Sequence, residues 1–517
     1  MKNILFSFLS LGLSIVGFSQ TTYTSAGSGN WNTQNNWTPS VSGGPGSNDH
    51  VIILAEHTIT ANSLTRSGNT TVNGRLNASG KITFNGNGQA IGGYGNISGT
   101  DVIELTTGPK IIPADASLTL IVVSVNIIGG ITVTNNGTVT IASNLTGSVV
   151  GSTWTNGTAS TLNIAGALLA TGTLNAFASA NTINYYGTSS ASIKLPSLSS
   201  GHYTYYHLIA SGNNNKTLPD AAGASNLAVN GDLTIYSTVN GNGGNKVLRV
   251  RGNWLNYGNF TEGAGTVIFD GTGDQTIVRT SGDEAFNHVT IDKPSGKVIL
   301  NTNVIISTSV TSAANRSTFT MISGNVECGS YKLTLGRRHI DPEIPDLFTG
   351  ILVWHNGTII GEFERFINHT WISTRTYVLN ELVFYNGGWW KSKTNNNASN
   401  PPAENVNWTA SSILFPIGTS LNHRPADVFF NQVTPGSLTA KFNSEPTPGN
   451  NGLPLSENGV TLYNTFRDGY WSLTSAHALT STDYNLNLTG DGFTGFTITA
   501  NTRLLTRSNL SSPWTLN

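Results

Sequence analysis

The sequence predicts an all-β protein: a right-handed parallel β-helix (solenoid) followed by a β-sandwich, with a small β insert. Three observations predict this. Charged residues make up only 10% of the 517, against about 25% in ordinary globular chains, and Gly, Asn, Thr and Ser fill the difference. The chain nevertheless carries 11 Trp, 15 Tyr and 20 Phe with abundant Val, Ile and Thr, residues that suit a pleated, half-buried surface and that disordered chains lack. Finally, short runs of period-two alternation close repeatedly on Gly, as in Leu162-Asn163-Ile164-Ala165-Gly166, Leu248-Arg249-Val250-Arg251-Gly252 and Thr266-Val267-Ile268-Phe269-Asp270-Gly271. Helical spacing is interrupted by Gly, Asn or Pro in every window of a dozen residues.

A longer repeat overlies the short one. Gly166, Gly187 and His207 recur as Gly252, Gly271 and His288, at offsets of 86, 84 and 81 residues. Self-similarity with several short strands per unit is the mark of a solenoid. One coil cannot bury its inward face alone, so successive coils stack in parallel and cover each other's edges. A meandering antiparallel sandwich would want two-residue Asn-Gly hairpins between nearly all strands, and the intervals are too irregular for that.

Taken in order, residues 1–20 read as a secretory signal peptide. Lys2 supplies the charge, Ile4 to Phe18 the apolar core and Ser19-Gln20 the cleavage site. Residues 21–60, with Trp31 and Trp37 before Asp49-His50-Val51-Ile52-Ile53-Leu54, read as an N-terminal cap plugged by aromatics. Residues 61–370 are expected to form the solenoid and residues 371–412 the small tryptophan-rich insert. Residues 413–517 have longer strands, such as Leu438 to Phe442 and Tyr484 to Leu488, and are expected to form a separate β-sandwich. No segment after the leader approaches a membrane-spanning length, so a secreted or outer-surface location is expected.

A formal net charge of −1 without any basic run makes nucleic acid and anionic membrane poor partners. The single Cys328 excludes an internal disulfide and reads as a buried small hydrophobe. Glycosidase chemistry needs two carboxylates about 5–9.5 Å apart, and no acidic pair recurs at a spacing that stacks on one face. His202, His207 and His288 lack a tight ligand spacing, and no Gly-x-Ser-x-Gly, His-Glu-x-x-His or P-loop is present. A non-catalytic protein without a cofactor is therefore expected. Asp270-Gly271-Thr272-Gly273-Asp274 has the form of a calcium loop, but oxygen ligation wants several converging carboxylates. Asp283, Glu284 and Asp292 lie across turns, so a Gly-rich corner is the preferred reading. Arg337-Arg338-His339 with Asp341 and Glu343 reads as a solvated loop.

The solenoid segments Gly252-Asn253-Trp254-Leu255-Asn256-Tyr257-Gly258, Gly265 to Gly271 and Gln275-Thr276-Ile277 resemble repeats of large surface proteins exported by Gram-negative bacteria of the Bacteroidota type. Gly29-Asn30-Trp31, Asn36-Trp37 and Asp49 to Ile53 resemble their entry cap. Phe415-Pro416-Ile417-Gly418 and Gly469-Tyr470-Trp471 resemble the sandwich that follows. The resemblance implies an adhesin-like role. The C-terminal sorting domain usual in such proteins is not recognised before Asn517, so a truncated product or another export route is expected.

Residues 371–409 resemble a small chitin-binding module of the family 5/12 carbohydrate-binding type. Trp371, Tyr377, Asn380, Val383, Tyr385, Gly387, Trp390, Lys393, Pro402 and Trp408 fall on its pattern. Asn380 replaces a turn Gly, an easy exchange because Asn tolerates positive φ. After Lys393, Thr394-Asn395-Asn396-Asn397 stands where such binders carry exposed aromatics, so a reduced platform is expected. Adjacent residues on a strand face opposite ways. The resemblance gives Trp390 the core slot and makes Trp389 the exposed sugar contact, with Tyr385 or Trp408 beside it. The plainer reading is that all four build the module's own core. A sugar ring stacked on an aromatic buries roughly 60–80 Å², worth about 1.5–2 kcal/mol.

The expected function is thus a secreted, non-catalytic, adhesin-like protein that binds a polysaccharide or glycan surface. A β-helix polysaccharide lyase or glycoside hydrolase is the alternative and requires a concave groove lined by acidic and basic residues from several coils. A purely structural matrix protein is a third reading and requires no glycan retention.

Overall fold

In the computed structural model the chain is almost all β, with 52% strand and 1% helix, and builds a parallel β-solenoid of about eleven turns followed by strand-rich sheets. The structure describes residues 20–220, 226–241, 247–307, 316–337, 350–367, 370–398, 400–444, 449–466, 468–490, 492–493 and 497–516. The signal-peptide segment up to Ser19 and the charged loop from Arg338 to Glu343 lie outside the described residues. Among the described residues no helix is long and apolar enough to cross a membrane. Two compact units are distinguished: residues up to Thr155 with Leu169–Thr173, and Asn156–Leu168 with Leu174–Asn517.

In the first unit each coil contributes strands to parallel sheets, and the period-two pattern sends alternate residues inward. Ile59, Leu76, Ile97, Leu120 and Ile141 stand opposite one another in successive coils. Leu64, Ile82, Ile103, Val125 and Leu145 form a second such column. All ten are buried, and full burial of an aliphatic side chain contributes about 1.5–3 kcal/mol. At the start of the first column Gly29 and Asn30 pair in parallel with Ile59 and Thr60. Thr22–Ser25 runs parallel to His50–Ile53 and antiparallel to Trp37–Thr38. Trp31 and Trp37 are buried and meet edge-to-face at 4.9 Å. Trp37 Nε1 donates to Trp31 O and Trp31 Nε1 to Pro45 O, while the Arg66 guanidinium lies 5.2 Å over the Trp31 ring.

The second unit continues the same logic with wider coils. Leu162, Ile183, Leu208, Leu233, Trp254, Ile277 and Leu300 form one inward column. Leu227, Leu248, Val267, Val289 and Phe319 form another. The coil is 21 residues long where Thr161 faces Thr182, 30 where His288 faces Thr318 and 33 where Thr318 faces Ile351. Aromatics fill the wider interior: Trp254 is ringed by Phe260, Phe269 and Phe286 at 4.8, 6.5 and 5.0 Å. Within the described residues the repeating unit is therefore the single coil, not the 81–86-residue block. His207 lies on Thr182 and His288 on Thr266, as the block pattern implies, but the two pairs belong to different columns.

The solenoid ends by changing strand direction. Ile359–Ile367 pairs in parallel with Thr318–Leu335 on one side and antiparallel with Gly436–Asn443 on the other, and Tyr470–Ala476 extends that sheet. A second antiparallel sheet is Ile413–Phe415, Ala426–Gln432 and Asp483–Leu488. The C-terminal strands are thus hydrogen-bonded onto the last coil, where the sequence reading expected a separate sandwich. The antiparallel partner covers an edge that another chain would otherwise pair with.

Interior corners hold a polar device that alternation alone does not foretell. Lys110 is fully buried, and its Nζ donates to the carbonyls of Gly86 (2.7 Å), Thr106 (2.5 Å) and Gly108 (2.8 Å), with the Thr107 carbonyl near by at 3.3 Å. Lys216 Nζ does the same for Gly187, Ser189 and Asn213, and Lys293 Nζ for Gly271 and the Gln275 amide oxygen. Tight corners turn carbonyls inward, where an unpaired one costs about 1–3 kcal/mol. A buried ammonium, with three donors and no acceptor, satisfies several at once.

Candidate functional site

Residues 370–410 form a small antiparallel unit outside the coils. Leu382–Tyr385 and Gly388–Ser392 make a hairpin, Trp408–Ala410 adds a third strand, and Thr376–Tyr377 pairs with Asn397–Ala398. The hairpin turn is Asn386-Gly387, both at positive φ (50° and 72°), as a two-residue primed turn requires. Asn380 also takes positive φ (67°), the conformation expected of a residue standing in for a turn glycine.

Register decides the two faces of the hairpin. Val383 faces Trp390, and Phe384 faces Trp389. On the first face Tyr377, Val383 and Trp408 form the unit's core, with Trp371 and Trp390 packed against it and partly buried. Tyr377 and Trp408 meet at 5.4 Å, and Trp408 Nε1 donates to Asn400 O. Tyr385 meets Trp371 edge-to-face at 5.1 Å, and Trp390 Nε1 donates to Tyr385 O. Trp371, Tyr385 and Trp390 thus form a partly buried aromatic edge.

This arrangement corrects two expectations. Trp389, expected as the exposed contact, is 5% exposed. It packs on Phe384 at 5.5 Å and lines a small cavity with Ile351, Phe366, Ile367 and Ile413. The physical reason is that the hairpin's second face is covered by the chain around it, leaving no solvent side for Trp389. Trp408, expected beside it, is core at 0% exposure. Trp390, assigned to the core slot, packs against that core and is partly buried. The Thr394–Asn397 stretch is spent internally: Asn395 Oδ1 accepts from Leu379 N, and the buried Asn397 amide donates to Ser392 Oγ and Asn407 O.

A buried ion pair fixes the unit to the solenoid. Glu381 accepts from Arg316 Nε at 2.8 Å and from Arg375 Nη2 at 3.2 Å, and its second oxygen takes the Val378 N–H. The side chains of Arg316 and Glu381 are 6% and 2% exposed. Removing one partner of such a pair costs about 3–5 kcal/mol, so the aromatic edge is held at a fixed orientation.

The other candidate centres resolve into structural networks. Asp270 is engaged by Arg249 Nη1 at 2.7 Å and Arg251 Nε at 3.4 Å, and Asp274 Oδ1 accepts from Lys297 N. The calcium loop is therefore not assembled: its first carboxylate is claimed by guanidinium groups, and among the described residues no three His, Cys, Asp or Glu side chains converge on a metal position. Glu284 is paired instead with Asn256 Nδ2 at 2.8 Å. Cys328 is buried, as expected, and burial pushes its thiol up to about 12, which keeps it from acting as a nucleophile. Ser437, His477 and Glu364 meet near the end of the solenoid, but not as a hydrolase relay. Ser437 Oγ donates to Glu364 Oε1 at 2.6 Å and also contacts His477 Nδ1 at 2.8 Å. A hydroxyl has one proton, so Nδ1 donates to Ser437 and cannot take its proton. Sequence reasoning missed this cluster, because its members come from positions 364, 437 and 477 with no local signal.

Comparison with known proteins gives no match to any protein family, curated protein or solved structure.

Proposed function

We propose that the protein is a secreted, surface-displayed, non-catalytic glycan-binding protein whose solenoid presents the small aromatic unit to a polysaccharide. The observation that carries this reading is the edge formed by Trp371, Tyr385 and Trp390, which are partly rather than fully buried beside a packed core. Sugar rings offer flat C–H faces to such surfaces, and each stacked ring is worth about 1.5–2 kcal/mol. The outward columns support it further. Thr58, Arg75, Asn96, Thr119 and Thr140 form one, and Asn215, Thr238 and Asn259 another, rich in uncharged groups that hydrogen-bond hydroxyls.

The test is retention of the full chain on insoluble chitin and cellulose. Trp390→Ala is expected to weaken retention about tenfold, the equivalent of roughly 1.4 kcal/mol, without lowering thermal stability by more than a few degrees. Trp389→Ala is expected to destabilise the unit through cavity formation. Retention unchanged by Trp390→Ala and Tyr385→Ala together would remove the aromatic edge as the contact. Release of reducing or unsaturated sugars would favour the enzyme, and no retention of wild-type protein would favour the structural matrix reading.

A further inference from the structure

A second polar constellation lies on the outward face of the solenoid and belongs to no part of the aromatic edge. In successive coils Ala228 faces Arg249, and Arg249 faces Ile268. Leu248 and Val250 point inward and are buried, so Arg249 and Arg251 both project outward, two residues apart. Asp270, two residues beyond Ile268, meets them from the next coil at 2.7 and 3.4 Å. Asn230, one coil earlier, accepts from Arg251 Nη1 at 2.8 Å. His202 lies within electrostatic reach, and burial together with both arginines holds its imidazole below the usual value.

The charges do not balance. Two guanidinium groups surround one carboxylate, leaving one positive charge in excess. Exposure is graded so that the carboxylate lies beneath the cations: the Asp270 side chain is 10% exposed, Arg249 22% and Arg251 29%. Arg249 Nε and Asp270 Oδ1 are enclosed and make no hydrogen bond among the described residues, and Asp270 Oδ1 faces the Arg251 Nε charge at 3.4 Å. Two partly exposed guanidinium groups in excess over one carboxylate match an oxyanion.

We propose that Arg249 and Arg251, with Asp270 between them, bind an oxyanion carried on a carbohydrate: the carboxylate of a uronic acid or a sulfate ester. The outward positions continue from Ile268 to Thr290 and Thr320 in the following coils, so a linear polymer has hydroxyl-bearing surface to follow. This site is separate from the aromatic edge, and the two readings fail independently.

The experiment is calorimetric titration of the full chain with an oligogalacturonate, a sulfated oligosaccharide and a neutral chito-oligosaccharide. One or both anionic ligands are expected to bind, more weakly as salt rises. The Arg249→Gln, Arg251→Gln double variant is expected to lose at least tenfold in affinity for them while keeping its retention on neutral polysaccharide. Asp270→Asn removes the internal counter-anion and is expected to raise anionic affinity severalfold, which a purely structural ion pair would not do. Uronate binding without sulfate binding assigns the carboxylate as the source, and the reverse assigns the sulfate. Absence of anion binding by both wild type and Asp270→Asn overturns the proposal. So does anion binding that the double variant, folded by circular dichroism, leaves intact.

Discussion

Glu364→Ala is expected to lower global stability by about 3 kcal/mol, the range for breaking a buried, hydrogen-bonded ion pair. Glu364 is 3% exposed and lies on the last strand shared by the coils and the C-terminal sheets. Its Oε2 takes Lys332 Nζ at 2.7 Å and Thr334 Oγ1 at 3.2 Å, and its Oε1 takes Ser437 Oγ at 2.6 Å. Lys332 is about a third exposed and regains water when its partner is lost, which keeps the cost below the upper end of the range. Burial by itself would raise the Glu364 carboxyl, but the hydrogen bonds and charge of Lys332, with those of Ser437 and Thr334, outweigh it and hold the group below the ordinary value. Its contribution is therefore present above the unfolded value of 4.5 and lost as pH falls through the folded one. Urea unfolding at pH 7 is the measurement. Glu364→Gln keeps hydrogen bonding but not charge and should fall between wild type and alanine. A loss below about 1 kcal/mol for Glu364→Ala would place the junction's strength elsewhere.

Glu284→Gln is expected to do the opposite at alkaline pH. The Glu284 side chain is fully buried, and burial pushes its carboxyl up to about 7, against partial opposition from the Asn256 hydrogen bond and the Arg279 charge at 3.6 Å. Between about 4.5 and 7 the folded chain holds a proton that the unfolded chain has released, so stability falls as pH rises through this window. The shift corresponds to about 3 kcal/mol. Wild-type and variant chains should differ least near pH 4.5, and at pH 8 the glutamine variant should be the more stable by about that amount. Parallel pH profiles for the two chains would show that Arg279 keeps Glu284 ionised in the fold.

The fold was legible wherever alternation and burial say the same thing. Leu162-Asn163-Ile164 and Thr182-Ile183-Asn184-Tyr185 send Leu162, Ile164, Ile183 and Tyr185 inward, as period two requires. It was illegible where a corner overrides hydrophobicity. In Lys110-Ile111-Ile112 the inward residues are Lys110 and Ile112, while Ile111 is 40% exposed, because the inward carbonyls of the turn need a donor at the first position more than the core needs another isoleucine. Coil length was hidden because loops vary while strands keep register, so the 81–86-residue offsets match blocks lying in different columns. At the aromatic unit, the composition and the left-handed Asn380 were readable. The choice between Trp389 and Trp390 was not. Both belong to one strand, and the side that is buried depends on Ile351, Phe366 and Ile413, which no local pattern connects to them.

The parallel stacking of coils is tested most directly by one distance. Thr58, Arg75, Asn96, Thr119 and Thr140 face one another in five consecutive coils, so Thr58 and Thr140 are four strand spacings apart, about 19 Å at roughly 4.8 Å each. Spin labels on Thr58→Cys and Thr140→Cys, in a Cys328→Ala background, are expected to give a single narrow distribution centred near 20 Å in pulsed dipolar spectroscopy. A broad distribution, or one centred beyond about 30 Å, would mean that these strands do not stack in register.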